Sequence, residues 1–255
     1  MAGIQDARDE TEIPLDGVGI TDLLYPVKIP AREGPDQTTV AAFELSVKLG
    51  NDARGAHMSR FVEVLDGHPR ELSPAGVESL LSELKHAHGA ALATADIDFA
   101  FCVPREAPIS GAKSLMACPV SLEATLGDTF DLVTTAVVPI MTVCPCSQEA
   151  TGGPAHSQRG HVAVSVRVDG TIWIEDIAEL VEECASGPVY PLLKGDDERS
   201  IIEDAHRSPV LVEDLVRRVA ERLDSDVRVY WYRVEAENLD SVHDHNLRAH
   251  VERSR

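Results

Sequence analysis

A chain of 255 residues, 44% of them hydrophobic, is long enough to bury a sizeable core in one large domain or two smaller ones, and it has no apolar run able to cross a bilayer. The formal charge of -20 repels polyanions, which excludes a broad nucleic-acid or anionic-lipid surface; a small anion held by a few local arginines stays allowed, since distant charge is screened beyond roughly 8 Å. The five cysteines are odd in number and irregularly spaced, and the start of the chain is polar and acidic, so reduced thiols in a soluble cytoplasmic protein are expected.

The first clear element is a strand in which Ala41, Phe43, Leu45, Val47 and Leu49 recur with a period of two. Two helices follow. Met58, Phe61, Val62 and Leu65 form the apolar stripe of one, and Val77, Leu80, Leu81 and Leu84 that of the other, which starts with Ser73 as cap and Pro74 in its first turn. Strand pattern returns with Ile97, Phe99, Phe101 and Val103, then from Lys113 to Val143 with a turn at Gly127-Asp128. The second half runs through the same order. Val162, Val164, Val166 and Val168 make a strand before a turn at Asp169-Gly170, and Ile174, Ile177, Ala178 and Val181 mark a helix. Ser208-Pro209 is read as the start of another helix with Val212, Leu215, Val216 and Val219, and a last strand alternates through Val227, Val229 and Trp231.

The two Ser-Pro stretches, Ser73 to Leu80 and Ser208 to Leu215, align residue by residue, placing Glu78 opposite Glu213 and suggesting an internal duplication. Each half is then an antiparallel sheet with a helix pair between strand pairs, an α+β plan with helices on one sheet face and a boundary near Leu126 to Asp128.

The densest chemical signal is Cys144-Pro145-Cys146-Ser147, followed by His156-Ser157-Gln158-Arg159-Gly160-His161. Thiolate and imidazole together suit zinc or a similar transition metal, and the Thr151 to Pro154 stretch between them reads as a loop. His243-Asp244-His245 offers two more imidazoles, while Glu198 reads most simply as an exposed loop acid. Glu213, in the first turn of its helix, serves the helix dipole or offers two acceptor oxygens to a guanine edge. His57 and Arg60 stand at a helix start, where backbone N–H groups favour phosphate.

Four stretches together, Gly55 to Phe61 (Gly-Ala-His-Met-Ser-Arg-Phe), Cys144 to Ser147, His156 to Arg159 and Val212 to Asp214, resemble the motifs of the type IB GTP cyclohydrolases, over about Ile13 to His245. The resemblance implies two tandem tunnelling-fold modules, 13–126 and 127–250, each an antiparallel four-stranded sheet with a helix pair on one face, in a homotetramer with sites at subunit interfaces. It implies a divalent transition metal (zinc, manganese or iron(II)) at Cys146, His156, Glu198 and His243, and guanine anchored by Glu213. Arg60, Arg159 and His57 are then the triphosphate candidates, Cys146 with His156 or His161 would activate water and move protons, and the product would be 7,8-dihydroneopterin triphosphate with formate. Gln148 departs from the lysine that many bacterial members carry after Cys-Pro-Cys-Ser. A cyclic-phosphate product, a nitrile reductase of the same fold and a purine-binding module without turnover are the rival expectations.

Overall fold

The computed structural model describes residues 13–50 and 55–255. Among them the backbone forms a mixed helix–sheet fold with nine strands and six helices. In chain order they are β1 (Leu15–Ile29), β2 (Gln37–Leu49), α1 (Met58–Gly67), α2 (Pro74–His88), β3 (Ala93–Glu106), β4 (Lys113–Leu126) and β5 (Phe130–Val143). Then come α3 (Pro145–Thr151), β6 (Ser157–Val168), α4 (Ile174–Cys184), β7 (Gly187–Pro188), α5 (Gly195–Arg207), α6 (Val212–Ser225), β8 (Val229–Leu239) and β9 (Leu247–Ser254). The strands form one antiparallel sheet in the order β1-β2-β3-β4-β5-β6-β8-β9, with β7 paired to β5.

The described residues group into two compact units, one of residues up to Ala100 with Ser121–Thr134, the other of Phe101–Val120 with Thr135–Arg255. In the first, the expected alternation of β2 is realised: Ala41, Phe43, Leu45, Val47 and Leu49 are all buried. They share the core with Phe61 and Leu65 of α1 and with Val77, Leu80, Leu81 and Leu84 of α2. Ser73 caps α2 as its sequence promised, its Oγ accepting the Gly76 N–H at 3.1 Å. In the second, Val162, Val164 and Val166 of β6 are buried, as are Ile177 and Val181 of α4 and Leu215, Val219 and Leu223 of α6.

Several sequence expectations need correction. Ser208 does not cap α6; it ends α5, and Val210 then donates its N–H to the Val143 carbonyl at the end of β5 (3.1 Å), so the helix begins only at Val212 with Leu211 as its cap. Glu213 is therefore the second residue of α6, whereas Glu78 is the fifth of α2, and the two acids are not equivalent. The alternation Val227, Val229, Trp231 also fails: the register slips between Arg167 and Val168, so Val229, Tyr232, Val234 and Ala236 are buried and Val227 is 93% exposed. Two helices were not expected. One is α3, which starts at the Cys-Pro-Cys run, and the other is α5, which contains the Glu198 stretch read as a loop.

Candidate functional site

The sequence from Cys144 to Ser147 leaves the end of β5 and turns at once into α3, with Pro145 supplying the fixed φ of the first turn. Cys144 is half-buried and its N–H donates to the His156 carbonyl (3.2 Å), while Cys146, two residues further on, is exposed; all five cysteines are free thiols. Ser147 Oγ donates to the Cys144 carbonyl and accepts the His156 N–H, both at 3.2 Å, which ties the start of β6 to the Cys-Pro-Cys turn. Gln148, the departure from the family pattern, donates from Nε2 to the His206 carbonyl at 3.2 Å and so fastens α3 to the end of α5.

The β8–β9 connection closes on the same place. Ser241 Oγ lies 3.0 Å from His156 Nδ1, and Asp240 accepts the N–H groups of Val242 (2.7 Å) and His243 (2.8 Å). Asp240 also meets the His243 imidazole and takes a hydrogen bond from Gln158 Nε2 (2.7 Å). These donors, the His243 N–H foremost, pull its carboxyl down to about 2. His243 itself is exposed and stacks on His245, ring centroids 5.2 Å apart.

Glu198 stands exposed in the first turn of α5, on the wall of a cavity of about 340 Å³ that it shares with Gln158, Arg159, Tyr190, Ile201 and Ile202. The turn that presents it is fixed by its neighbour. Asp197 is completely buried and accepts from the N–H groups of Ile109 (2.9 Å), Ser110 (2.8 Å) and Lys194 (2.9 Å) and from the Ser110 hydroxyl (2.7 Å). Those bonds, the hydroxyl first, hold its carboxyl far below the usual carboxylate range.

Cys146, His156 and His243 are thus carried by segments that hydrogen-bond to one another, and Gln158 reaches from the Asp240 side to the cavity that Glu198 lines. Among the described residues, however, no three His, Cys, Asp or Glu side chains converge closely enough to hold a metal ion. His161 lies elsewhere on β6, 3.6 Å from Glu237 of its paired strand. Gly160 between them passes so close to β8 that a Cβ there would sit 2.5 Å from Asn238 Oδ1. Glu213 is exposed on α6. His57 and Arg60 belong to the first unit, where His57 caps α1 and Arg60 reaches the Ala87 carbonyl at 3.3 Å. Sequence reasoning missed Asp240, Ser241, Gln158 and Asp197. The Asp-Ser pair before a histidine run is the turn chemistry that could have drawn attention to the first two.

Comparison with known proteins identifies the family. The family model of type I GTP cyclohydrolase folE2 matches residues 1–249. GTP cyclohydrolase FolE2 of Citrifermentans bemidjiense is 41% identical over 255 residues, covering 100% of this chain and 96% of its own. That of Nitrosococcus oceani is 42% identical over 253 residues, covering 99% and 95%. That of Kosmotoga olearia is 40% identical over 255 residues, covering 100% and 99%. Among solved structures, urate oxidase from Bacillus sp. TB-90 has a TM-score of 0.53 at 8% identity over 94% of this chain and 100% of its own, a likeness of fold alone. With the family model and full-length relatives in agreement, the chain belongs to the type I GTP cyclohydrolase family represented by FolE2.

Proposed function

We propose that this GTP cyclohydrolase works with a divalent transition metal held by Cys146, His156, Glu198 and His243, and that it releases formate and 7,8-dihydroneopterin triphosphate as the first step towards folate. The observation that carries the reading is the network joining the Cys-Pro-Cys turn, His156 and the His243 loop through Ser147, Ser241 and Asp240. The donor set fits the group: one thiolate, two imidazoles and one carboxylate suit zinc, iron(II) or manganese. Cys146 and Glu198 are exposed, so their side chains are free to turn towards the two imidazoles. A metal held by these residues would supply water activation at neutral pH, by lowering the pKa of a bound water towards ~7.

The chain's own residues do the rest. Glu213 offers two carboxylate oxygens to the N1 and 2-amino N–H groups of guanine. Arg159, on the cavity wall with Glu198, offers charge to the triphosphate, and Arg60 and His57 are the other candidates for it. His156 or His161 moves the protons as the ring opens. Cys144 is a second reading for the thiolate, favoured by its backbone bond to His156.

We further read the fold as two tandem tunnelling-fold modules, 13–126 and 127–250, assembling as a cytoplasmic homotetramer. The order supports the duplication: β1-β2, then α1 and α2, then β3-β4 is matched by β5-β6, then α4 and α6, then β8-β9, once α3, β7 and α5 are taken as insertions in the second half. No described helix is long and apolar enough to cross a membrane. The experiment is removal of metal by chelation, confirmed by elemental analysis, followed by assay for formate and pterin fluorescence. Turnover is expected to vanish and to return when zinc, manganese or iron(II) is added; full turnover without metal overturns the reading.

A further inference from the structure

We infer that Asp240 and Ser241 are positioning residues that fix the tautomers of His243 and His156, so that both rings offer an unprotonated Nε2 to a metal. The inference rests on the metal reading above and concerns how the chain prepares its ligands.

An imidazole ligates through a nitrogen that carries a lone pair, and in the neutral ring only one of the two nitrogens has it. Which one is decided by what the other nitrogen meets. For His156 the partner of Nδ1 is Ser241 Oγ at 3.0 Å, and that hydroxyl also lies 3.3 Å from the Ser157 carbonyl. A carbonyl only accepts, and with the hydroxyl proton on the Ser157 bond Oγ accepts from His156 Nδ1–H. The lone pair of His156 is therefore on Nε2.

For His243 the partner of Nδ1 is Asp240 Oδ1 at 3.3 Å. An ionised carboxylate is an acceptor only, so Nδ1 is again the protonated nitrogen and Nε2 again carries the lone pair. Both imidazoles thus reach the same state through adjacent residues of one connection.

A simple turn would not need this arrangement. Capping the Val242 and His243 N–H groups uses Asp240 Oδ1 alone. The second oxygen instead takes Gln158 Nε2 at 2.7 Å, and Gln158 Oε1 accepts the Thr142 hydroxyl at 3.3 Å. The Asp240 side chain and Gln158 are almost fully buried, at 3% and 4% exposure, while the His243 side chain they steady is 62% exposed. A rigid buried chain from β5 through β6 therefore ends on an exposed ring, the relation expected between an outer-sphere carboxylate and a ligand histidine.

The test is Kd for zinc and for manganese by chelator competition, with the absorption spectrum of the cobalt(II)-loaded protein and the Tm of the metal-free protein as companion readouts. His156→Ala and His243→Ala probe the metal reading; Asp240→Asn, Ser241→Ala and Ser241→Thr probe the positioning. Asparagine keeps an oxygen for the two backbone N–H groups, removes the charge facing His243 and turns an NH2 towards Gln158 Nε2, and threonine keeps the hydroxyl. Ser241→Ala is expected to weaken zinc binding about tenfold or more and to alter the cobalt spectrum while the metal-free Tm stays near that of the parent; Asp240→Asn is expected to weaken binding as much and also to lower the Tm, because its NH2 meets Gln158 Nε2. Ser241→Thr should restore binding, and that pair decides the matter if Asp240→Asn unfolds. Weak binding in the two histidine variants beside parental binding in Asp240→Asn and Ser241→Ala overturns the positioning role alone. Parental binding in the histidine variants as well overturns the metal reading beneath it.

Discussion

In the first unit, α2 buries its whole apolar stripe and α1 buries Phe61 and Leu65 but leaves Met58 and Val62 exposed; α2 is closed at both ends, by Ser73 in front and by left-handed Gly89 (φ 60°) behind. In the second unit α4 and α6 do the same packing, but α3 and α5 are added, and these are built differently. α3 buries no side chain, and α5 buries only Asp197 and Ala205. Hydrophobic burial cannot be what keeps them in place. Polar bonds hold them instead: Ser147 and Gln148 for α3, and the four donors gathered on Asp197 for α5. The helices that stabilise the unit and the helices that carry Cys146 and Glu198 are thus separate sets, so damage to the second set should cost activity before it costs stability.

The largest effect is expected at the thiolate. Cys146→Ala should lower kcat by at least roughly 100-fold, with Tm within a few degrees of the parent, because an exposed side chain on a helix without buried residues contributes little to the core. Cys144→Ala should be the milder change in turnover. A reversal of that order, read from the same assay, moves the ligand to Cys144, and a large fall in Tm for Cys146→Ala would break the separation of packing from chemistry.

Next in size is Glu213→Gln. As a first-turn acid Glu213 would matter by about 0.3 to 1 kcal/mol of stability. As the guanine anchor it faces two N–H donors, and a glutamine NH2 in place of one oxygen should lower kcat/KM for GTP at least roughly tenfold. Since Glu78 sits deeper in its helix, the matched control is Asp214, the other acid of the same first turn, which pairs with Arg217 at 2.7 Å. Equal, small changes in kcat/KM for Glu213→Gln and Asp214→Asn would leave Glu213 as an ordinary helix acid.

What the sequence discloses follows the same division. The stripes of α2, α4 and α6 and the alternation of β2 are local and periodic, and each is realised; α1 buries only Phe61 and Leu65 of its expected stripe, with Met58 and Val62 exposed, and β6 leaves Val168 half-buried. The helices α3 and α5 have no stripe to read, because their partners are single polar groups far away in sequence: Asp197 answers to Ile109 and Ser110. The strand β1 escapes for a different reason. Its register slips twice, near Leu15 and near Ile20, around Asp22 with a positive φ of 58°, so no period of two survives along it. In the site, residue type alone marks Cys146, His156 and His243 as chemical groups, but Asp240 and Gln158 look like any turn acid and strand amide until the chain folds them together.

Two substitutions that should cost stability sharpen the comparison from the other side. Gly160 runs between Arg159 and His161 where a Cβ would press on Asn238 Oδ1 and, at 2.8 Å, on the Glu237 carbonyl. Gly160→Ala should therefore destabilise by about 1 to 3 kcal/mol, a fall in Tm of several degrees, and should lower kcat as well if β6 shifts the residues on either side. An unchanged Tm would mean that β8 yields at no cost.

The smallest effect belongs to the packing helices of the first unit. Ser73→Ala removes the hydroxyl that accepts the Gly76 N–H and nothing else, since alanine keeps the Cβ and the extended backbone of the cap. The loss should be about 1 kcal/mol, or about 2 to 4 °C in Tm for a chain of this size. Metal affinity and kcat/KM measured well below the transition should stay at the parental values, because the bond joins two residues of one helix start and α2 lies outside the network that holds Cys146, His156 and His243. If turnover falls along with Tm, the helices that pack and the helices that react are coupled, and the separation drawn between them does not hold.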